Sequence, residues 1–65
     1  ATVTLEAEGI ERVRVIDMMG QTLEVREVGR QDQVTLNLGV YAPSVYLLEI
    51  ETVNGIVKKR VVVCR

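Results

Sequence analysis

The sequence predicts an all-β sandwich or barrel built from six short strands. Three observations lead there. Thirteen Val, four Ile and five Thr stand among 65 residues, while Phe and Trp are absent, a composition suited to the pleated, half-buried surface of a strand. Turn-forming residues recur about every ten positions, the spacing expected of short antiparallel strands. Between them apolar and polar residues alternate with a period of two, with no helical period, low-complexity tract or linker.

Sixty-five residues limit the chain to one small domain of marginal stability. With no His and a single Cys, neither a structural metal nor an internal disulfide is expected to brace it, so each core position should matter. No run is long and apolar enough to cross a membrane as a helix, and no signal peptide is visible. A formal net charge of −1 with a pI near 5.3 argues against nucleic acid or an anionic membrane as partner. Strand-like sequence starts at once, so the chain reads as a piece of a longer protein or a processed product.

Residues 2–8 set Val3, Leu5 and Ala7 on one face and Thr2, Thr4, Glu6 and Glu8 on the other, and Gly9 ends the run. Residues 10–17 turn Val13 and Val15 inward and Arg12 and Arg14 outward. Asp17-Met18-Met19-Gly20 then reads as a hairpin loop. An Asp side chain there accepts hydrogen bonds from the backbone ahead, and Gly tolerates the positive φ of a bulge. Counting outward pairs Val15 with Leu23, Arg14 with Glu24 and Val13 with Val25, but it also sets Arg12 against Arg26 and Glu11 against Glu27. A bulge near Ile10 and Glu11 that brings Ile10 inward is the expected remedy.

Gly29-Arg30-Gln31-Asp32 is a polar connector. Beyond it Val34, Leu36 and Leu38 are expected to be buried and Thr35 and Asn37 exposed, and residues 39–44, with the chain's one proline at Pro43, lead to the last two strands. Those strands, around Asn54-Gly55, are the most strongly patterned stretch. Read as a two-residue type I′ loop, Asn54-Gly55 places Glu51 opposite Lys58, Glu49 opposite Arg60, Leu48 opposite Val61 and Tyr46 opposite Val63. One face then carries two opposite-charge pairs and the other is nearly all apolar.

Catalytic readings are weak throughout. A chain without His cannot build a Ser-His-Asp or Cys-His arrangement, and the ligand set of a zinc site is missing. Glu49 and Glu51 share a strand face, but cross-strand cations make a solvated ion-pair ladder the better account of them. The glycines open no helix, so they form no phosphate loop. No catalytic residue, cofactor or metal is therefore expected. Cys64 reads as a small residue continuing the Val61-Val62-Val63 strand, with a free or intermolecular thiol as the alternative. Lys58-Lys59-Arg60 is the one basic cluster, and Lys59 points to the apolar face, either snorkelling to water or belonging to a contact. Met18 and Met19 at a turn are either partly buried or part of a partner surface.

The order of these stretches carries a resemblance. Val13-Arg14-Val15-Ile16-Asp17-Met18-Met19-Gly20, then Val34-Thr35-Leu36, then Tyr46-Leu47-Leu48-Glu49-Ile50, an Asn-Gly turn, and Lys58-Lys59-Arg60-Val61-Val62-Val63 near the end resemble the C-terminal sorting domain of proteins exported by the type IX (Por) secretion system of diderm bacteria. The motifs are short, and their order over nearly the whole chain is what is specific. Where the family has Gly before the Tyr of its penultimate strand, this chain has Ser44, which then requires negative φ; alternatively Gly39-Val40-Tyr41 is the matching triplet, followed by an insertion.

The resemblance implies an immunoglobulin-like sandwich of about six to seven strands, placed as a single domain over residues 1–65 at the end of a longer secreted protein. It implies a non-catalytic secretion signal, with Asp17, Gly20, Tyr46, Asn54 and Gly55 as structural motif residues. Lys58, Lys59, Val61 and Val63 match the family's terminal strand motif. Apart from the resemblance, a basic, Val-rich strand at a sheet edge offers unpaired backbone groups to a receptor strand, so recognition is expected at Lys58, Lys59, Arg60, Val61, Val62 and Val63. Its partners would be the outer-membrane secretion machinery and a sortase-like peptidase, and its route would run through the periplasm to the outer membrane and cell surface. Two other readings are a structural or adhesive immunoglobulin-like module and an accessory domain that stabilises an enzyme. Open strand edges also invite self-association by pairing or exchange of the final strands.

Overall fold

The structure, a computed structural model, describes residues 2–64. It holds four strands, β1 (Thr2–Ile16), β2 (Thr22–Asn37), β3 (Ser44–Thr52) and β4 (Gly55–Val63). They form one antiparallel sheet in the order β2-β1-β3-β4. The all-β expectation holds, but the six-stranded count and the sandwich of six to seven strands give way to a single four-stranded sheet. Glycine is the reason. Gly9 (φ 64°) and the pair Gly29 (φ 75°) and Arg30 (φ 67°) bend their strands without ending the pairing, so the expected first and second runs are the two limbs of β1, and the third and fourth are the limbs of β2.

A straight strand of β1's length would run roughly 45–50 Å, yet the longest Cα dimension of the molecule is 32 Å. The bent β1–β2 ribbon folds its first limb back over the rest of the sheet. Leu5, Val34, Leu36 and Leu38 from that limb join Ile10, Val13, Val15, Tyr46, Leu48, Ile50 and Val63 in one buried cluster. The bend is braced on both strands. Asp32 Oδ1 accepts from the Gly9 N–H at 3.0 Å, the Gly9 carbonyl accepts from Val53 N–H at 3.0 Å, and Arg26 Nη1 donates to the Thr35 carbonyl at 3.1 Å.

The Asp17–Gly20 loop forms as expected. Asp17 Oδ1 accepts from the backbone N–H groups of Met19 and Gln21, both at 2.9 Å, and Gly20 takes φ 86°. The register beyond it does not follow the expected count. A shift between Val15 and Ile16 moves the pairs by one residue, to Val15 with Glu24, Arg14 with Val25, Val13 with Arg26 and Arg12 with Glu27. The like-charge clash of Arg12 with Arg26 is thereby removed. The cost is a flipped face: Leu23 and Val25 point outward and are 42% and 50% exposed. An irregularity does lie between Ile10 and Arg12, and Ile10 is fully buried, as expected.

Glu24 and Arg26, turned inward, close the open side of the core. Tyr41 donates its hydroxyl proton to Glu24 Oε1 at 2.5 Å and packs on Tyr46 with ring centroids 5.5 Å apart. Partial burial first, and that hydrogen bond second, push the Tyr41 phenol up to about 12. The unfolded chain therefore loses this proton first, near pH 10. The contribution of Tyr41 to stability is full below about pH 10 and falls as pH rises toward about 12. Tyr41→Phe is expected to flatten that alkaline loss, as read from urea unfolding at a series of pH values. Parallel losses in the two proteins above pH 10 would refute the assignment.

The final hairpin forms with its faces as expected and its pairs moved. Thr52 pairs with Gly55, Glu51 with Ile56, Glu49 with Lys58, Leu48 with Lys59, Leu47 with Arg60, Tyr46 with Val61 and Ser44 with Val63, a slip of two residues from the expected register. Val53 and Asn54 form the loop, and Gly55 rather than Asn54 takes positive φ (123°), so the loop is not type I′. Thr52 Oγ1 accepts from Asn54 N–H and donates to the Gly55 carbonyl, while Asn54 Nδ2 donates to Glu8. These contacts, with the Val53–Gly9 hydrogen bond, hold the loop against the bend of β1. A two-residue slip keeps every side chain on its face, so Tyr46, Leu48 and Ile50 still reach the core.

Candidate recognition edge

The strand order leaves two edges, β2 and β4. They are not equivalent. β2 carries the Gly29-Arg30 kink in mid-strand, and its pairing with β1 shifts register three times. Such an edge cannot accept a second strand along its length. The pairing of β4 with β3 runs without a shift from Thr52–Gly55 to Ser44–Val63. Its outer side presents the unpaired half of a regular strand's N–H and C=O groups.

All of the expected recognition residues lie on this strand. Lys58, Lys59, Arg60 and Val62 are exposed, Val61 is half-buried and Val63 is buried. Lys58 and Arg60 lie on the outward face beside Val62, which is 69% exposed. Lys59 sits across from Leu48 on the core-facing side, yet it is exposed, because the buried cluster reaches only the Val61–Val63 end of β4. Val57, on that same side, is 50% exposed for the same reason.

The expected pairing of Glu49 and Glu51 with β4 cations is replaced by pairing with β1. Arg14 Nη1 meets Glu49 Oε1 at 3.0 Å, Arg12 Nη1 meets Glu51 Oε2 at 3.2 Å, and Arg12 Nε meets Glu27 Oε2 at 2.7 Å. The hydrogen bond donated to Glu27 first, then that donated to Glu51, holds the Arg12 guanidinium above its ordinary pKa. This ladder crosses β2, β1 and β3 and stops there. Among the described residues, Lys58, Lys59 and Arg60 form no ion pair, which leaves three consecutive cations without a salt bridge on the open edge.

The structural motif residues are spread over the fold. Asp17 and Gly20 build the first loop, Asn54 and Gly55 shape the last, and Tyr46 is buried with its hydroxyl donating to the Ala42 carbonyl. Ser44 has negative φ, as required if it replaces Gly. Cys64 lies past the end of β4 and is an exposed free thiol, so it does not continue the strand. Met18 and Met19 are 73% and 85% exposed, which overturns partial burial. A hollow of about 230 Å³, lined in part by Arg26, Gln31, Gln33 and Thr35, sits at the β2 bend, far along the sheet from β4. Among the described residues no group of three or more His, Cys, Asp or Glu side chains could hold a metal ion, and no helix is long and apolar enough to cross a membrane.

The fold is a small all-β unit of two hairpins in one sheet, with β4 at a free edge. The model of the secretion system C-terminal sorting domain matches residues 1–64, and the chain belongs to that family, the sorting signals of type IX secretion. The match covers the whole sheet, β4 included. No curated protein and no solved structure matches the chain.

Proposed function

We propose that this domain is the delivery label of a secreted cargo, read by the outer-membrane type IX machinery through β4. The observation that carries the reading is the contrast between the two edges: β2 is kinked, whereas β4 is regular, basic and unpaired. A receptor strand added to β4 gains main-chain hydrogen bonds for affinity, and Lys58, Lys59 and Arg60 fix its orientation. In this reading the domain passes the periplasm with its cargo and crosses the outer membrane. A sortase-like peptidase at the cell surface then removes it and attaches the cargo.

Deleting residues 58–65 from a tagged cargo is expected to abolish surface delivery, measured by protease accessibility of the tag on whole cells. A folding check of the cargo keeps the result specific. Normal delivery after the deletion would overturn the proposal.

A further inference from the structure

We infer that the strand which pairs with β4 is acidic, with carboxylates at three consecutive positions between apolar residues, and that it belongs to a different protein rather than to a second copy of this chain. This deepens the reading of β4 as the recognised edge and rests on it. The argument begins with charge. Glu49, the one acid directly opposite a β4 cation, is already held by Arg14 at 3.0 Å, and Glu51 is shared between Arg12 and Arg14. Both carboxylates are thus engaged by Arg12 and Arg14, and among the described residues no carboxylate makes an ion pair with Lys58, Lys59 or Arg60.

Their placement sets the partner's pattern. Lys58 and Arg60 lie on one face of β4 and Lys59 on the other. An added strand meets each of them with the residue directly opposite, on the same face. Three successive carboxylates answer both faces at once. On either side of the cluster stand Ile56 (59% exposed) and Val57 (50%) and, beyond it, Val61 and Val62 (69%). Apolar residues flanking the acidic triplet cover these.

The same charges act against a second copy. Two β4 strands paired antiparallel about Lys59 would set Lys59 against Lys59 and Lys58 against the second copy's Arg60. Like charges would then face each other at three consecutive positions. Sliding the pair to relieve them shortens the ladder. A long edge with exposed valines is a template for indiscriminate pairing, and the basic triplet makes it selective.

The test uses the 65-residue chain and two fluorescent peptides. One carries three central glutamates between valines, and the other carries three central lysines in the same frame. The acidic peptide is expected to bind more tightly by roughly tenfold, as three exposed charge pairs allow, with the difference shrinking in high salt. The preference should reverse in a variant carrying Lys58→Glu, Lys59→Glu and Arg60→Glu, side chains that are all exposed. If that variant fails to fold by circular dichroism, the triple change to Gln should abolish the preference without reversing it.

Equal binding of the two peptides, binding of neither, or a β4-dependent dimer by light scattering would each overturn the inference. Delivery of the tagged cargo separates the two levels. If charge reversal leaves delivery intact while deletion of residues 58–65 abolishes it, the acidic partner is wrong and the recognised edge stands. If the deletion is also harmless, the edge itself is wrong.

Discussion

Gly9→Ala is expected to remove a substantial fraction of the protein's stability. Gly9 holds φ 64°, and a Cβ there would stand 2.6 Å from Val53 Cγ2 and 2.8 Å from Val53 Cγ1. The left-handed backbone alone costs an alanine about 1–2 kcal/mol. The contact with Val53 adds to this, because the Val53 backbone is tied to the Gly9 carbonyl and cannot retreat. Together these reach roughly 2–4 kcal/mol, against a total of about 3–10 kcal/mol for a chain of this length. Gly20 provides the control, since it holds φ 86° with nothing within 4 Å of a Cβ. Gly20→Ala should cost only the backbone share. Adding Val53→Ala to Gly9→Ala should recover the contact share and leave the rest. Urea unfolding of the four proteins settles it, and equal losses for Gly9→Ala and Gly20→Ala would disprove the close approach.

Leu48→Ala should be at least as damaging. Leu48 is fully buried at the middle of β3, flanked by Val15 of β1 and Lys59 of β4. Removing most of its side chain forfeits burial and leaves a void between the folded-back limb and the sheet, about 2–5 kcal/mol. Leu48→Met keeps nearly the same volume and should cost less than about 1.5 kcal/mol. A Leu48→Ala protein as stable as Leu48→Met would mean that the first limb does not press on β3.

Much of this molecule is legible in its sequence, and the legible part is the part with a period of two. Which residues of β1, β3 and the second limb of β2 face the core follows from alternation, and Leu5, Val13, Val15, Val34, Leu36, Leu38, Tyr46, Leu48 and Ile50 are all buried. The loop at Asp17 follows from side-chain chemistry that acts over four residues, and the basic stretch that β4 presents is visible as a string of letters. A two-residue slip in the last hairpin leaves this intact because it does not change the face of any side chain.

Neighbours and registers are another matter, because they depend on which strand lies beside which. The sequence does not announce that β1 inserts between β2 and β3, so it cannot show that Arg12 and Arg14 capture Glu51 and Glu49. That capture is what strips Lys58, Lys59 and Arg60 of partners. Nor does the local pattern distinguish a glycine that ends a strand from one that bends it. The choice at Gly9 was made by Asp32 and Val53, 23 and 44 residues away in the chain, which accept and donate the hydrogen bonds that hold the bend. Alternation determined the faces, and long-range contacts decided the strand count, the registers and the free basic edge, since those energies exist only once the chain has closed on itself.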